Sequence, residues 1–113
     1  MTTIDIHTHP IFMGEDYADR MVAEAPAWGI MAAVALGDVL RYGRSPSAEQ
    51  VRAINAETAG LLERHPSFFI GFCHLNPTLG AEHVDEETRH CFGETHAGFG
   101  FRGIKLEIAN NAA

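Results

Sequence analysis

The segment TIDIHTH alternates Ile4, Ile6 and Thr8 with Asp5, His7 and His9, the two-residue period of a β-strand. Pro10 ends it, because proline brings no N–H to a ladder. EDYADRMVAEA then puts Met21, Val22 and Ala25 on one helical face, and Pro26 limits how far that helix runs. IMAAVAL, residues 30–36, is apolar on both faces and closed by Gly37 and Asp38, which predicts a strand covered on two sides as in a parallel sheet.

The next segment, SPSAEQVRAINAETAGLLERHP, opens with a capping box in Ser47 and Gln50. Its residues Val51, Ile54, Leu61 and Leu62 fall on one helical stripe. Pro66 disfavours helical geometry at His65 and so stops it. SFFIGFCHL reads as a third strand halted by Asn76 and Pro77, and EHVDEETRHCF as an acidic amphipathic helix with Val84, Thr88, Cys91 and Phe92 on its stripe. FRGIKLEIA supplies a fourth strand. Strand and helix alternate throughout, which predicts an α/β fold with a parallel sheet in one domain, residues 1–113. Two architectures fit: an open doubly wound sheet of four strands, favoured by the length, or the first four strands of a (β/α)8 barrel, which needs about 250 residues when complete.

Composition narrows the function classes. The 113 residues are 46% hydrophobic, and eight Lys and Arg stand against fifteen Asp and Glu, a formal charge of −7. Such a surface repels phosphate backbones and anionic lipid, so neither nucleic acid nor membrane is an expected partner; a small-molecule substrate is. No apolar run is long enough for a bilayer and the start has no leader pattern, so a cytoplasmic protein is expected. Cys73 and Cys91 match neither a redox pair nor a zinc framework and read as buried free thiols.

Positions i and i+2 of a strand lie about 6.5 to 7 Å apart on one face, so His7 and His9 can aim two imidazoles at one cation. Asp5 would sit one layer deeper, able to hydrogen-bond within the core or to orient a ligand. Alone, the H-x-H pair is equally compatible with two histidines facing water on an edge strand. His74, near the end of the third strand, could reach the same mouth or be a satisfied core histidine. Lys105 and Glu107 alternate on one face of the fourth strand, as an internal ion pair or as ligands. His65, His83, His90 and His96 fall in helices or at their ends and call for no function. Trp28, Phe68, Phe69 and Phe72 read as packing. Gly98, Gly100 and Gly103 precede a strand, unlike the glycines of a nucleotide loop.

IDIHTHP, LLERHPSFFIGFCHLNP and GFRGIKLEI, in that order, resemble the first strand, the helix with the third strand, and the fourth strand of the amidohydrolase superfamily, in its amidohydrolase-related branch. The resemblance covers nearly the whole chain and implies the N-terminal half of a (β/α)8 barrel. It implies that His7 and His9 help hold one or two divalent metals, usually zinc, which lower the pKa of water from 15.7 towards about 7 for attack on a carbonyl or C–N centre. In some relatives the metal instead orients an aromatic or unsaturated acid for decarboxylation. Lys105 or Glu107 would be a candidate bridging ligand, although many relatives carry His where Glu107 stands.

The family pattern also has two histidines on strands five and six and an acid on strand eight, positions that would lie beyond Ala113. Half a barrel leaves two unpaired edges. Three expectations compete: a piece of a longer metal-dependent hydrolase or decarboxylase, two copies forming a homo-oligomeric barrel, or a catalytically silent half that acts by binding a partner.

Overall fold

A computed structural model describes residues 2–12, 14–93 and 98–107. The elements run β1 (Thr3–Thr8), α1 (Glu15–Glu24), a 3-10 turn (Ala25–Trp28), β2 (Ile30–Ala35), α2 (Ala48–Arg64), β3 (Phe69–Leu75), a second 3-10 turn (Pro77–Leu79), α3 (Ala81–Cys91) and β4 (Gly103–Leu106). All three strand pairings are parallel and the spatial order is β1-β2-β3-β4. That order separates the two architectures. A doubly wound sheet reverses its strand order, whereas consecutive order with a helix between successive strands is the winding of a (β/α)8 barrel, here four strands of it.

Packing confirms the winding. Ala33 and Ala35 of β2 and Phe69 of β3 cluster with Ala18 of α1 and Leu61 of α2. Cys73 and Leu75, on the same side of β3 as Phe69, cluster with Cys91 of α3 and with Phe101. All three helices therefore cover one face of the sheet. The opposite face, with Ala32 and Val34 of β2, Ile70, Phe72 and His74 of β3 and Lys105 of β4, carries no helix among the described residues.

Local sequence explains the element boundaries. Pro26 converts the end of α1 into the 3-10 turn, and Gly29 closes that turn at φ 72°, with its N–H bonded to the carbonyls of Ala25 and Pro26. At the start of α2 both capping-box bonds form: Ser47 N–H donates to Gln50 Oε1 at 2.9 Å and Gln50 N–H to Ser47 Oγ at 3.2 Å. Val51 and Ile54 are fully buried, each stabilising the fold by about 1.5–3 kcal/mol.

Four sequence expectations change. Trp28 is not core but 78% exposed, because it lies on the 3-10 turn beside the open edge of β1, and Phe92 at the end of α3 is also exposed. Residues 30–36 are not covered throughout: Met31 is exposed, since the end of β2 that starts at Ile30 has few neighbours. The stripes of α2 and α3 carry buried polar residues, Asn55, Thr58 and Glu87, among their apolar ones. The end of the expected fourth strand and His96 lie outside the described residues. Cys73 and Cys91 are buried free thiols as expected, and the contact with Cys73, together with burial, pushes the Cys91 thiol up, away from reactivity.

Candidate functional site

β1 is the edge strand, and its regular alternation is interrupted. Asp5 pairs with Ala33 and Thr8 with Ala35, so three steps on β1 match two on β2 and one residue is extra. The Asp5 carboxylate accepts the His7 backbone N–H at 3.0 Å, which holds the bulge. Asp5 and Thr8 consequently share the face of Ala33 and Ala35, toward the helices. His7 and His9 flank Thr8 at the same end of β1.

The two imidazoles meet. His7 Nε2 and His9 Nε2 are 3.3 Å apart, with ring centroids at 5.2 Å. The other nitrogen of His9, Nδ1, lies 3.0 Å from the Gly37 carbonyl, which can only accept, so Nδ1 carries the proton and Nε2 keeps its lone pair. Two nitrogens bound at 2.0–2.1 Å to one tetrahedral ion are about 3.3 to 3.4 Å apart. The separation is that of two ring nitrogens sharing a hydrogen bond and also falls at the spacing of two ligands of one such ion, for which His9 already has the tautomer. No third His, Cys, Asp or Glu joins them among the described residues.

Backbone positions hold this geometry. Leu36 N–H donates to Thr8 C=O at 2.8 Å, and Thr8 Oγ1 donates to Val34 C=O at 2.6 Å, locking the ends of β1 and β2 side by side. Gly37 follows β2 so closely against α2 that a Cβ there would lie 2.6 Å from Ile54 Cγ2 and 3.2 Å from Thr58 Oγ1. The missing side chain lets its carbonyl reach His9. Along the edge of β1 runs a groove of about 640 Å³, lined by Asp5, His7, Thr8 and His9 together with Phe12, Tyr17, Arg20 and Trp28.

His74, Lys105 and Glu107 form a second cluster, on β3 and at β4. His74 pairs with Lys105 in the β3–β4 register, and Lys105 Nζ lies 3.9 Å from Glu107 Oε2, the internal ion pair of the sequence reading. His74 is 1% exposed, and that burial lowers its pKa from 6.5 to about 4, so it is neutral at physiological pH. Asn55 fixes its backbone: Oδ1 accepts the His74 N–H at 2.8 Å while Nδ2 donates to the His74 carbonyl at 3.0 Å. Asn55 Nδ2 also donates to Glu87 Oε2 at 2.9 Å, and Arg52 Nε bonds both Glu87 oxygens at 2.8 and 3.1 Å.

Sequence reasoning passed over Asn55, Arg52 and Glu87. The available signal was a polar residue at i+4 from Val51 and another between Val84 and Cys91, each on an apolar stripe. The remaining histidines act locally. His65 Nε2 donates to Asp19 Oδ1 at 2.7 Å beside Arg64, a contact that holds the Asp19 carboxyl below the usual carboxylate range. His83 Nε2 accepts the Asn76 N–H at 3.4 Å, and His90 packs edge-on against Phe99.

No protein-family model and no curated protein matches the chain. Solved structures do. A 2,6-dihydroxybenzoate decarboxylase complexed with 2,6-dihydroxybenzoate aligns over 95% of this chain and 39% of its own, with a TM-score of 0.70 at 16% identity. The 2,6-dihydroxybenzoate decarboxylase from Rhizobium aligns over 95% and 38%, with a TM-score of 0.70 at 17% identity. A candidate amidohydrolase from Staphylococcus aureus aligns over 92% and 36%, with a TM-score of 0.70 at 18% identity. The chain thus has the fold of part of these proteins and spans less than two-fifths of their length. The fold agrees with the resemblance to the amidohydrolase superfamily carried by its strand motifs.

Proposed function

We propose that the chain is the metal-binding half of an amidohydrolase-related enzyme, with His7 and His9 as two ligands of a divalent cation, zinc by its match to nitrogen donors. The observation that carries this is the 3.3 Å spacing of the two Nε2 atoms, combined with the Gly37 carbonyl on His9 Nδ1. A resident cation would supply Lewis acidity and an acidified water for hydrolysis at a carbonyl or C–N centre. The residues of this chain prepare its seat. Gly37 holds the His9 tautomer, and Asp5 sets the bulge that turns His7 toward His9. His7 would release its contact to His9 and bind with its own proton on Nδ1. Asp5 acts on this reading as an orienting residue, and His74, Lys105 and Glu107 belong to the adjoining substrate wall.

A second reading, decarboxylation of an aromatic acid, is favoured by the groove itself. Phe12, Tyr17 and Trp28 offer ring faces and Arg20 a carboxylate partner beside the histidines. Two of the solved structures that share the fold are decarboxylases of such an acid. Equilibrium dialysis against zinc, comparing the wild-type chain with His7→Ala and His9→Ala, tests the metal seat. Retention by the wild type and loss in both variants is expected, and equal retention by all three would overturn it. Substrate screens on the zinc-loaded chain, scoring carbon dioxide release from dihydroxybenzoates against hydrolysis of amides and esters, separate the two reactions.

A further inference from the structure

We propose that Cys73 and Cys91 form a redox switch, two buried thiols that hydrogen peroxide converts into an intrachain disulfide tying α3 to β3. The inference rests on the packing of α3 against β3 and is independent of the metal reading. Both side chains are 0% exposed and share one cluster with Leu75 and Phe101. The sulfurs also belong to one polar network. Asn55 Nδ2 lies 3.9 Å from Cys73 Sγ and donates at 2.9 Å to Glu87 Oε2, the same oxygen that accepts the Cys91 S–H at 3.6 Å. The Cys73 S–H donates to the His74 carbonyl at 3.5 Å, and the two thiols are in contact.

That network tolerates the loss of both S–H donors. The His74 carbonyl keeps Asn55 Nδ2 at 3.0 Å, and Glu87 keeps Arg52 and Asn55, so neither acceptor is left unsatisfied when the two S–H bonds give way to one S–S bond. The disulfide closes the chain from Cys73 to Cys91 into a covalent ring that holds the second 3-10 turn and the whole of α3. Such a ring restricts the unfolded chain and so favours the folded one. It also anchors α3 to the strand next to His74, the residue registered with Lys105.

The surroundings divide the roles of the two sulfurs. Cys91 faces the Glu87 carboxylate, which disfavours a thiolate there, whereas Cys73 faces the Asn55 amide. Cys73 Sγ is accordingly the sulfur that attacks the peroxide: an S–O bond forms, the O–O bond breaks, and the departing hydroxide takes the thiol proton and leaves as water. Cys91 Sγ then attacks the sulfenic sulfur. The S–S bond forms, the S–O bond breaks, and the Cys91 proton, held toward Glu87, leaves with the hydroxyl as a second water. Two electrons pass in all from the thiols to the peroxide. Burial selects the oxidant, because a peroxide is little larger than water whereas a bulky disulfide reagent reaches these sulfurs only when α3 lifts from the sheet.

The test uses the full 113-residue chain, reduced and treated with a chelator, then exposed to hydrogen peroxide with and without urea and alkylated in denaturant. Trypsin should release residues 65–89 linked to residues 90–102, a pair lighter by two hydrogen atoms than its separate parts and split by dithiothreitol. The link is expected at lower peroxide in the folded chain than in urea, and the oxidised chain should melt at a higher temperature, returning on reduction. Thiols still free after peroxide, links between separate chains, or a link that forms only in urea would overturn the proposal. Cys91→Ser, with its fold checked by circular dichroism, should leave Cys73 as a sulfenic acid that dimedone captures, where the wild type is captured little. Equal capture in both would remove Cys91 as the second sulfur.

Discussion

Asn55→Ala removes the hydrogen bonds to the His74 N–H, the His74 carbonyl and Glu87, and a long one to Cys73 Sγ, from the seam between α2, β3 and α3. Asn55 itself is 0% exposed and His74 1%, so water cannot replace the lost partners without opening the core. A buried group left unsatisfied costs about 1–3 kcal/mol. Glu87 keeps Arg52, so the two His74 backbone groups carry most of the loss, and a destabilisation of about 3 kcal/mol is expected. In urea melts this should appear as a lower midpoint at constant slope, by about 1–3 M for slopes of 1–3 kcal/mol/M. Pairing the variant with Glu87→Gln in a double-mutant cycle isolates the Asn55–Glu87 contact, expected at about 1 kcal/mol or above because the acceptor is charged. A loss below about 1 kcal/mol for Asn55→Ala would refute the reasoning, because it would show that these groups are solvated in solution.

Three further outcomes follow from the same structure. Burial holds His74 near pKa 4 while the unfolded chain takes its proton near 6.5. Its contribution is complete above 6.5 and is lost as pH falls from about 6.5 to 4, by up to about 3 kcal/mol. Melts across that window should show the slope in the wild type and a shallower one in His74→Gln. Ser47→Ala breaks one arm of the capping box and should cost about 1 kcal/mol in thermal melts. Gly37→Ala forces a Cβ against Ile54 and Thr58, with an expected cost of about 1–3 kcal/mol and weaker zinc retention through the displaced carbonyl, checked by melts and dialysis together.

Much of this architecture is legible in the residues. Periodicity places every strand and helix because apolar spacing, Pro10, Pro26 and Pro66, and the Ser47–Gln50 box are local signals. Strand order is not local. Both candidate architectures share the same alternation, and only the pairings β1-β2-β3-β4 separate them. The irregular pairing of β1 was equally hidden, because Asp5 captures the His7 N–H through a side-chain bond that a period of two does not encode. Trp28 looks like core by residue type, yet it occupies a 3-10 turn at the open edge. Asn55 and Glu87 were masked for the opposite reason: their burial depends on one another and on the β3 backbone, partners far apart in sequence.

The histidine pair is tested most directly by proton–carbon NMR of the imidazole rings during a zinc titration of the 113-residue chain. The ring signals of His7 and His9, assigned from the two alanine variants, should shift together and saturate, with the His9 Nδ1 proton retained on the Gly37 carbonyl. Signals of His65 and His83, which pair with Asp19 and Asn76, should stay in place. A titration that moves neither His7 nor His9, or moves all the histidines alike, would contradict a metal seat on β1.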